Sequence, residues 1–421
     1  MHCISGQTAD TKNTWTSKLI DPIAVDSTLV NSVDNVTLTS GFATNFKKQP
    51  KHVRQYATWS GYGDAIVMEE DTVYLHSDVY FNKAGQMTGL KTEDETHLFY
   101  YDKKGNIVYR EIRPDPLDRY QDIFSRVEHI SYDTHGNLLT YYEYEITKDF
   151  EYQFGEYKEY SYEKQRTDII VTIKGIETRG RNYYSYTTTK KFDSSGLIQL
   201  KHNKGKVLRG TPLEYETEYS YETIKGTSYV KSIKYASSQP SSVKYAIDVF
   251  TRDASGRLLT KFDKNVKSAG YYGYKEVFEY PKKHTKVTKV FFETTLPKEQ
   301  LDSFDEKPGY LKTFIKAYDS KGNIIKESES FLDNETTVTM TKLAEYRFDK
   351  HQNWTKKTVT DKTEYTPKFI DENRTDYDTE SIVKFYREIS YFSSPEKLAK
   401  PPKLDQKAEE LKNEILLTYF K

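Results

Sequence analysis

Cysteine, long apolar runs and catalytic motifs are scarce or missing in this sequence, and each absence excludes a class of protein. One cysteine, Cys3, occurs among 421 residues, so an internal disulfide framework is excluded. No apolar run reaches the roughly 20 residues that a membrane-spanning helix needs. Gly-x-Ser-x-Gly, His-Glu-x-x-His, a phosphate-binding loop and a dinucleotide fingerprint are all absent. We therefore predict a protein that is not an enzyme.

An excess of charge of either sign is also lacking. Lys and Arg total 63, Asp and Glu total 63, and the formal net charge is +0. The two signs alternate along the chain, as in Lys158-Glu159, and no basic block is present, which argues against nucleic acid as a partner. The 9 histidines are dispersed, so we predict neither a metal site nor a cofactor.

Aromatic residues are abundant instead, with 37 Tyr and 21 Phe. They must supply most of the buried apolar area, because aliphatic residues are few. Tyr142, Tyr144 and Ile146 alternate with polar or charged neighbours, which is the period of two that a β-strand requires. The composition favours an all-β protein whose sheet is exposed to solvent on at least one face.

One short pattern recurs along most of the chain: Tyr318-Asp319-Ser320-Lys321-Gly322-Asn323-Ile324-Ile325. Asp at the first turn position accepts backbone hydrogen bonds, and Gly at the fourth adopts positive φ. The pattern therefore predicts a type I turn with a glycine bulge that closes a β-hairpin. Further copies begin at Asp102, Asp133, Asp193 and Asp253, and weaker copies begin at Asn82 and Asp349, where Gln352 replaces the glycine.

The spacing of these turns indicates a repeat of about 30 residues, because the longer gaps between successive Asp positions are close to twice the shorter ones. Additional units are expected near the midpoints of the long gaps, at Tyr162-Glu163, Tyr221-Glu222 and Tyr280-Pro281.

The repeated pattern resembles the YD-repeat (RHS-like) family over roughly residues 80 to 360. That resemblance implies an antiparallel meander of hairpins, curled into an extended sheet, a barrel or a shell. The chain has no long array of repeats and no Asp-Pro-x-Gly core motif. The resemblance therefore does not imply that this chain encapsulates a cargo protein.

We divide the chain into three parts: an N-terminal tether and cap over 1–60, the β-sheet domain over 61–392, and a C-terminal linker and helix over 393–421. Leu404, Ala408, Leu411, Ile415 and Tyr419 recur every three or four residues. They predict an amphipathic helix that packs on the sheet, and a partner-binding helix is the alternative.

A meander places the Asp turns on one rim and the longer connections on the other, where binding residues are usually found. We predict binding by aromatic residues of that long-loop rim. The six candidates are Tyr152, Phe154, Tyr183, Tyr184, Tyr271 and Tyr272. Alternatively, these side chains fold inward and plug the end of a curled sheet.

Cys3 precedes a stretch rich in Ser, Thr, Asp and Asn, which resembles the lipidated start of a mature bacterial lipoprotein; a surface cysteine of a cytosolic protein is the alternative. The first functional hypothesis is a protein-interaction module of the bacterial cell envelope, such as an immunity or accessory protein that binds a secreted effector. It would contact the membrane only through a lipid on Cys3, in the periplasm or on the outer membrane. A carbohydrate-binding protein is the alternative, although only 3 Trp are present. A hydrolase with unrecognised paired carboxylates is a third reading.

Overall fold

The structure of the protein is a computed structural model. The described residues are 46, 48, 50–62, 73–92, 94–114, 122–179, 182–207, 213–237, 245–267, 270–293, 310–320, 322–333, 336–367, 379–391 and 401–419. Within this part of the chain, the strands make up one antiparallel sheet and one helix follows them.

The 22 strands follow one another along the chain in the order in which they pair. Their bounds are β1 His52–Tyr62, β2 Val73–Phe81, β3 Met87–Lys91, β4 Glu95–Tyr101, β5 Ile107–Pro114, β6 Ile123–Tyr132, β7 Leu138–Thr147, β8 Tyr152–Gln165, β9 Asp168–Arg179, β10 Asn182–Phe192, β11 Ile198–Val207, β12 Leu213–Ile224, β13 Thr227–Ser237, β14 Tyr245–Arg252, β15 Leu258–Lys267, β16 Gly270–Lys282, β17 Thr285–Glu293, β18 Tyr310–Tyr318, β19 Ile324–Asp333, β20 Thr336–Phe348, β21 Trp354–Pro367 and β22 Thr379–Ser390. The helix, α1, spans Gln406–Tyr419.

The sheet is closed. β1 pairs with β2 on one side and with β22 on the other, from His52↔Ser390 to Tyr62↔Glu380. Each of β2 to β21 pairs with its two neighbours in sequence, so the meander forms a 22-stranded barrel in which none of the described strands has an unpaired edge. The sequence had left an open sheet, a barrel and a shell as alternatives, and these pairings decide for the barrel.

The predicted type I turns with a glycine bulge are confirmed. In each copy, the N–H at the fourth position donates to the carbonyl of the first, as from Gly136 to Asp133 at 3.1 Å. The glycines have φ between 84° and 91°, and Gln352 reaches 64° in the weaker copy. Each of these hairpins shifts register beside the turn, for example between Ser131 and Tyr132. These are the bulges that the pattern predicts.

Hairpins also lie at the three predicted midpoints, but their turns differ from the Asp copies. Two residues connect β8 to β9, β12 to β13 and β16 to β17, where Arg166 (φ 57°), Lys225 (φ 50°) and Gly226 (φ 79°) have positive φ. Two-residue turns of this kind match the twist of the flanking strands. The repeat of about 30 residues is therefore one hairpin of two strands.

Tyrosine hydroxyl groups connect successive hairpins. Six of them each donate to a backbone carbonyl two residues after the turn glycine of the preceding hairpin, at 2.6 to 3.0 Å. The pairs are Tyr101–Met87, Tyr132–Ile107, Tyr162–Leu138, Tyr221–Ile198, Tyr280–Leu258 and Tyr346–Ile324. Three of these tyrosines are the midpoint residues Tyr162, Tyr221 and Tyr280. The midpoint hairpins therefore have the tyrosine of the repeat although they lack its Asp.

The two faces of the sheet differ in burial. One face has buried apolar side chains on most strands outside β5 to β8, among them Val79, Ile173, Val290 and Val359. On the other face, buried apolar side chains concentrate on β5 to β9. The concave side of a closed sheet is the more occluded side, so we identify the first face as the inner face. A ring of this many strands encloses more space than its side chains fill.

The predicted helix is confirmed, and it packs on the outer face. Asp405 caps it by accepting from the Lys407 N–H at 2.9 Å. Its side chains Ala408 (0% exposed) and Ile415 (5%) join a cluster on β5 to β9, and the Tyr142 hydroxyl donates to the Ala408 carbonyl at 2.8 Å. None of the helices in the described ranges is long and apolar enough to cross a membrane.

One predicted boundary changes. The sheet begins at His52 and not at residue 61, and β1 is the strand that closes the ring. The rest of the predicted tether and cap, Cys3 included, lies outside the described residues apart from 46, 48, 50 and 51. Some connections on the rim opposite the Asp turns are short, because alternating residues continue the strands: only 180–181 separate β9 from β10.

Replacing Asp133 with alanine is expected to destabilise the protein by about 1 to 2 kcal/mol, the usual range for a lost side-chain cap. The carboxylate accepts from the backbone N–H groups of His135 and Asn137, both at 2.8 Å, and from the Asn137 amide at 2.7 Å. Urea unfolding measures the difference. Asp133→Asn keeps one acceptor oxygen and should lose less stability than Asp133→Ala. An equal loss of stability in the two variants would contradict the role of these hydrogen bonds.

Candidate functional site: the long-loop rim

The two rims of the barrel are built differently. The turn rim carries the hairpin turns, none longer than five residues between strands. The opposite rim carries the longest connections, which occupy 63–72, 115–122, 294–309 and 368–378 of the chain. Most residues of these connections lie outside the described ones, and the strands that they join all end on this rim. We call it the long-loop rim.

One tight turn on this rim copies the Asp turns with a different residue at the critical position. Thr147 occupies the first turn position, where the other copies have Asp. Its hydroxyl accepts from the Glu151 N–H at 3.1 Å and its carbonyl accepts from the Phe150 N–H at 3.0 Å. Phe150 occupies the fourth turn position, where the other copies have glycine, and its φ is 61°. A bulky residue in this left-handed region is strained, and strain of this kind concentrates at functional positions.

Phe150 is also strongly exposed, at 66%, although it is aromatic. Its ring centroid lies 5.6 Å from that of Phe124, which is 48% exposed. Phe124 lies in a bulge, where the register with β7 shifts between Ile123 and Ser125. A strained turn and a strand bulge thus combine to present two phenylalanine rings to solvent.

Charged and polar groups surround this aromatic pair. The Lys148 N–H donates to the Asp122 carbonyl at 2.8 Å, which ties the turn to the start of β6. Asp149 and Glu151 flank Phe150 and are exposed. An apolar centre with a charged rim is the usual composition of a protein-binding hot spot.

The predicted aromatic residues lie close to this rim but on strands, not in loops. Tyr152, Phe154 and Tyr183 belong to the outer cluster beneath α1 or pack against it, and the rings of Phe154 and Tyr183 are 5.9 Å apart. Tyr184 is 4% exposed and lies on the inner face. Tyr271 and Tyr272 start β16, and their side chains lie outside the described ones. The structure therefore brings three of the six together, in packing contacts. Binding by these residues stays a prediction.

Phe124 was missed as a site, and Phe150 was expected only as one of several aromatic residues on the rim of long connections, because the sequence shows neither the strained turn nor the bulge that exposes the pair. The signal that could have identified Phe150 is the pattern Thr-x-x-Phe at the place of Asp-x-x-Gly, at the end of β7 and the beginning of β8. No group of three or more His, Cys, Asp or Glu side chains in the described part of the chain is arranged to hold a metal ion.

Phe150→Gly is expected to raise the free energy of unfolding by about 0.5 to 1 kcal/mol, because glycine adopts positive φ without a Cβ penalty. The exposed ring contributes little burial that would be lost. Urea unfolding gives the difference. Phe124→Gly is the matched control, since glycine within a strand weakens it, and a loss of stability in both variants would contradict strain at Phe150.

A second electrostatic feature lies on the inner face, where Asp248 of β14 stands directly opposite Asp263 of β15. The Tyr235 hydroxyl donates to Asp248 at 3.2 Å, and the Lys261 ammonium lies 3.2 Å from Asp263. Burial raises the pKa of Asp248 to about 6, and the hydrogen bond with Asp263 and the negative charge of that residue add to the effect. Asp248 is therefore largely protonated below about pH 6.

The stability of the fold should consequently fall as pH rises through about 6. Folding raises the pKa of Asp248 from 3.8, so its contribution to stability is fully present below 3.8 and is lost above about 6. Asp248→Asn removes the charge and supplies a donor to Asp263, so it should stabilise the protein at pH 7.5 by about 1 to 2 kcal/mol, after allowance for solvent screening. Urea midpoints at pH 5 and pH 7.5 test this. Asp361→Asn, which removes the partner of Lys342, should show no such gain.

Comparisons with known proteins give only weak similarities. No protein-family model and no curated protein matches the chain. A porin-like protein from Bacteroides uniformis is 10% identical, with 81% of this chain and 96% of that chain covered and a TM-score of 0.24. A porin-like protein from Bacteroides vulgatus is also 10% identical, with 55% and 99% covered and a TM-score of 0.26. The Photorhabdus luminescens Tc holotoxin pore is 9% identical, with 73% and 20% covered and a TM-score of 0.25. Likenesses at these TM-scores carry no argument about this chain, and the YD-repeat resemblance stays a prediction.

Proposed function

We propose that the protein is a non-catalytic protein-interaction module of the bacterial cell envelope that binds its partner through the long-loop rim. The exposed pair Phe124–Phe150 is the observation that supports this most strongly. Two adjacent aromatic rings in water are unfavourable unless a partner buries them, and rigid aromatic anchors commonly dominate protein interfaces. The barrel supplies the rigid support that presents the pair.

The envelope location rests on Cys3 and the polar stretch that follows it, as in lipoproteins. An immunity or accessory protein that binds a secreted effector is one specific form of this proposal. The carbohydrate alternative receives less support, because Tyr152, Phe154 and Tyr183 contact other aromatic rings or α1 and do not form an open platform for a sugar ring.

Site-specific photo-crosslinking in the source cells tests the proposal. A benzophenone amino acid at position 124 or 150 should yield one discrete protein adduct. The same group at Leu417, which is 71% exposed on α1, should yield none. Equal labelling from Leu417, or no adduct from either rim position, would refute partner binding at this rim. A Cys3→Ser variant that remains in the membrane fraction would refute the lipid anchor.

A further inference from the structure

A cavity lies at mid-height along the barrel wall, on the inner face of β18 to β22. Its volume is about 490 Å³, within the range of roughly 300 to 1,000 Å³ that is usual for sites of small ligands. Asp361 and Thr363 line the cavity and follow the buried Val359 at steps of two along β21, so all three share the inner face. The cavity is therefore separate from the aromatic pair Phe124–Phe150 of the long-loop rim.

Charged side chains of alternating sign cross the cavity wall in one row. Lys316 of β18 stands opposite Glu327 of β19, which in turn stands opposite Lys342 of β20. Lys342 stands opposite Asp361 of β21, and Ser381 of β22 follows with a hydroxyl group. All five residues line the cavity. We call Lys316, Glu327, Lys342 and Asp361 the charged row. Since neighbouring strands are about 4.8 Å apart, the row offers donors and acceptors in turn at that spacing.

Ion pairs neutralise the charged row, and this selects the kind of ligand that it can bind. The Lys316 ammonium lies 2.9 Å from the Glu327 carboxylate, and the Lys342 ammonium lies 3.2 Å from that of Asp361. The four side chains are 15% to 42% exposed, so a ligand can reach them. An ionic ligand would displace one partner and leave its charge poorly compensated. A hydroxyl group avoids this cost, because paired ammonium and carboxylate groups retain further hydrogens and lone pairs.

Apolar side chains border the charged row on the side of the long-loop rim. Phe314 and Met340 both line the cavity. They stand on either side of Glu329, one opposite it on β18 and the other opposite it on β20. Glu329 is itself paired with the Lys312 ammonium at 2.6 Å, so the charge is balanced here too. The cavity thus combines apolar surface with a neutral set of donors and acceptors, the composition expected of a small-molecule site.

We propose that this cavity binds a neutral saccharide. Its hydroxyl groups would donate to the carboxylates of the charged row and accept from the two ammonium groups, and its C–H groups would pack on Phe314 and Met340. The site differs from the carbohydrate binding predicted at the rim, where the aromatic residues contact other rings and form no open platform. The proposal does not depend on the partner bound at the long-loop rim, since it uses no residue of that rim.

Calorimetric titration of the intact protein with trisaccharides tests the ligand class. The neutral probes are maltotriose, cellotriose and N-acetylated chitotriose, and trigalacturonic acid is an acidic probe of similar size. We expect at least one neutral probe to bind once per chain with a Kd below about 1 mM, and the acidic probe to bind at least tenfold more weakly. The Kd of the neutral probe should change less than twofold between about 0.05 and about 0.5 M salt, because no charge of the ligand is screened.

Two pairs of variants locate the bound sugar. Met340→Trp fills the cavity and should weaken binding at least tenfold. Leu343→Trp places the same ring on the outer face, where Leu343 is 43% exposed, and should leave the Kd within twofold. Lys342→Met keeps most of the side-chain volume but removes a donor, so it tests the site even if Met340→Trp does not fold, and it should weaken binding at least fivefold. Lys356→Met, on the outer face of β21, is its control and should bind as the original protein does.

A second measurement needs no substitution. The methyl NMR signal of Met340 should shift as the neutral trisaccharide saturates the protein, whereas that of Met87 on β3 should stay in place. The proposal would be overturned if none of the three neutral probes bound at about 10 mM, if the acidic probe bound more tightly than they do, or if the outer-face variants weakened binding as much as the cavity variants. An unchanged Met340 signal at saturation would overturn it as well.

Discussion

Gly205→Ala is expected to destabilise the barrel by about 3 kcal/mol, the upper range for overpacking a filled site. A Cβ at this position would lie 1.4 Å from the Tyr184 hydroxyl oxygen and 2.1 Å from its Cζ. Tyr184 is 4% exposed, so its ring has little room to move. β10 and β11 would have to separate where Gly205 pairs with Tyr186. Urea unfolding gives the change in the free energy of unfolding.

Two further variants make this result specific to the contact. Gly89→Ala is the matched control in another strand, since its Cβ would meet the Tyr80 ring at 3.4 Å, an ordinary contact. It should change stability by less than about 0.5 kcal/mol. Tyr184→Leu should be costly alone but should relieve much of the penalty of Gly205→Ala. Additive effects of the two substitutions would show that the tyrosine ring is not the cause.

Ala408→Arg is expected to detach α1 from the barrel. Ala408 is 0% exposed, and the carbonyl of the same residue accepts from Tyr142. An arginine side chain has no room there, and burying its charge among Tyr142, Tyr144 and Ile176 would cost several kcal/mol. An isolated helix of 14 residues is marginal in water. Detachment should therefore also unfold the helix, while the 22-stranded ring remains.

Hydrogen exchange distinguishes local from global loss in this variant. Amides of 406–419 should exchange at least a hundredfold faster, and those of β20 to β22 should be unchanged. Leu417→Arg, at an exposed position of the same helix, is the control and should retain protection. Retained protection of α1 in Ala408→Arg would refute the role of this contact.

The local hairpins could be predicted from the sequence because their determinants are local. Asp133 and Gly136 specify a turn through bonds that span five residues, and Tyr162 marks a hairpin even where the Asp is replaced. The helix could be predicted for the same reason, since Ala408 and Ile415 lie on one side of a helix of period 3.6.

Closure and the sites could not be predicted, since they depend on residues far apart in sequence. β1 lacks the Asp turn, and its pairing with β22 joins His52 to Ser390. Lys316 and Lys342 alternate with neighbours just as solvated strand residues do, and only the pairing of β18 to β21 aligns them with Glu327 and Asp361. The positive φ of Phe150 becomes evident only once the conformation of the turn that begins at Thr147 is known.

The pairing of β1 with β22 also determines when the molecule can finish folding. Hairpins of adjacent strands can form as each pair of strands leaves the ribosome, and the tyrosine bonds can join them in the order of synthesis. The pairing of β1 with β22 cannot be completed before Ser390 has been synthesised. Until then, the strands at both ends of the growing sheet expose unpaired backbone groups to other chains. The nascent chain is thus most prone to aggregation just before its last strand appears, and a chaperone that shields β1 during this interval would raise the yield of folded protein.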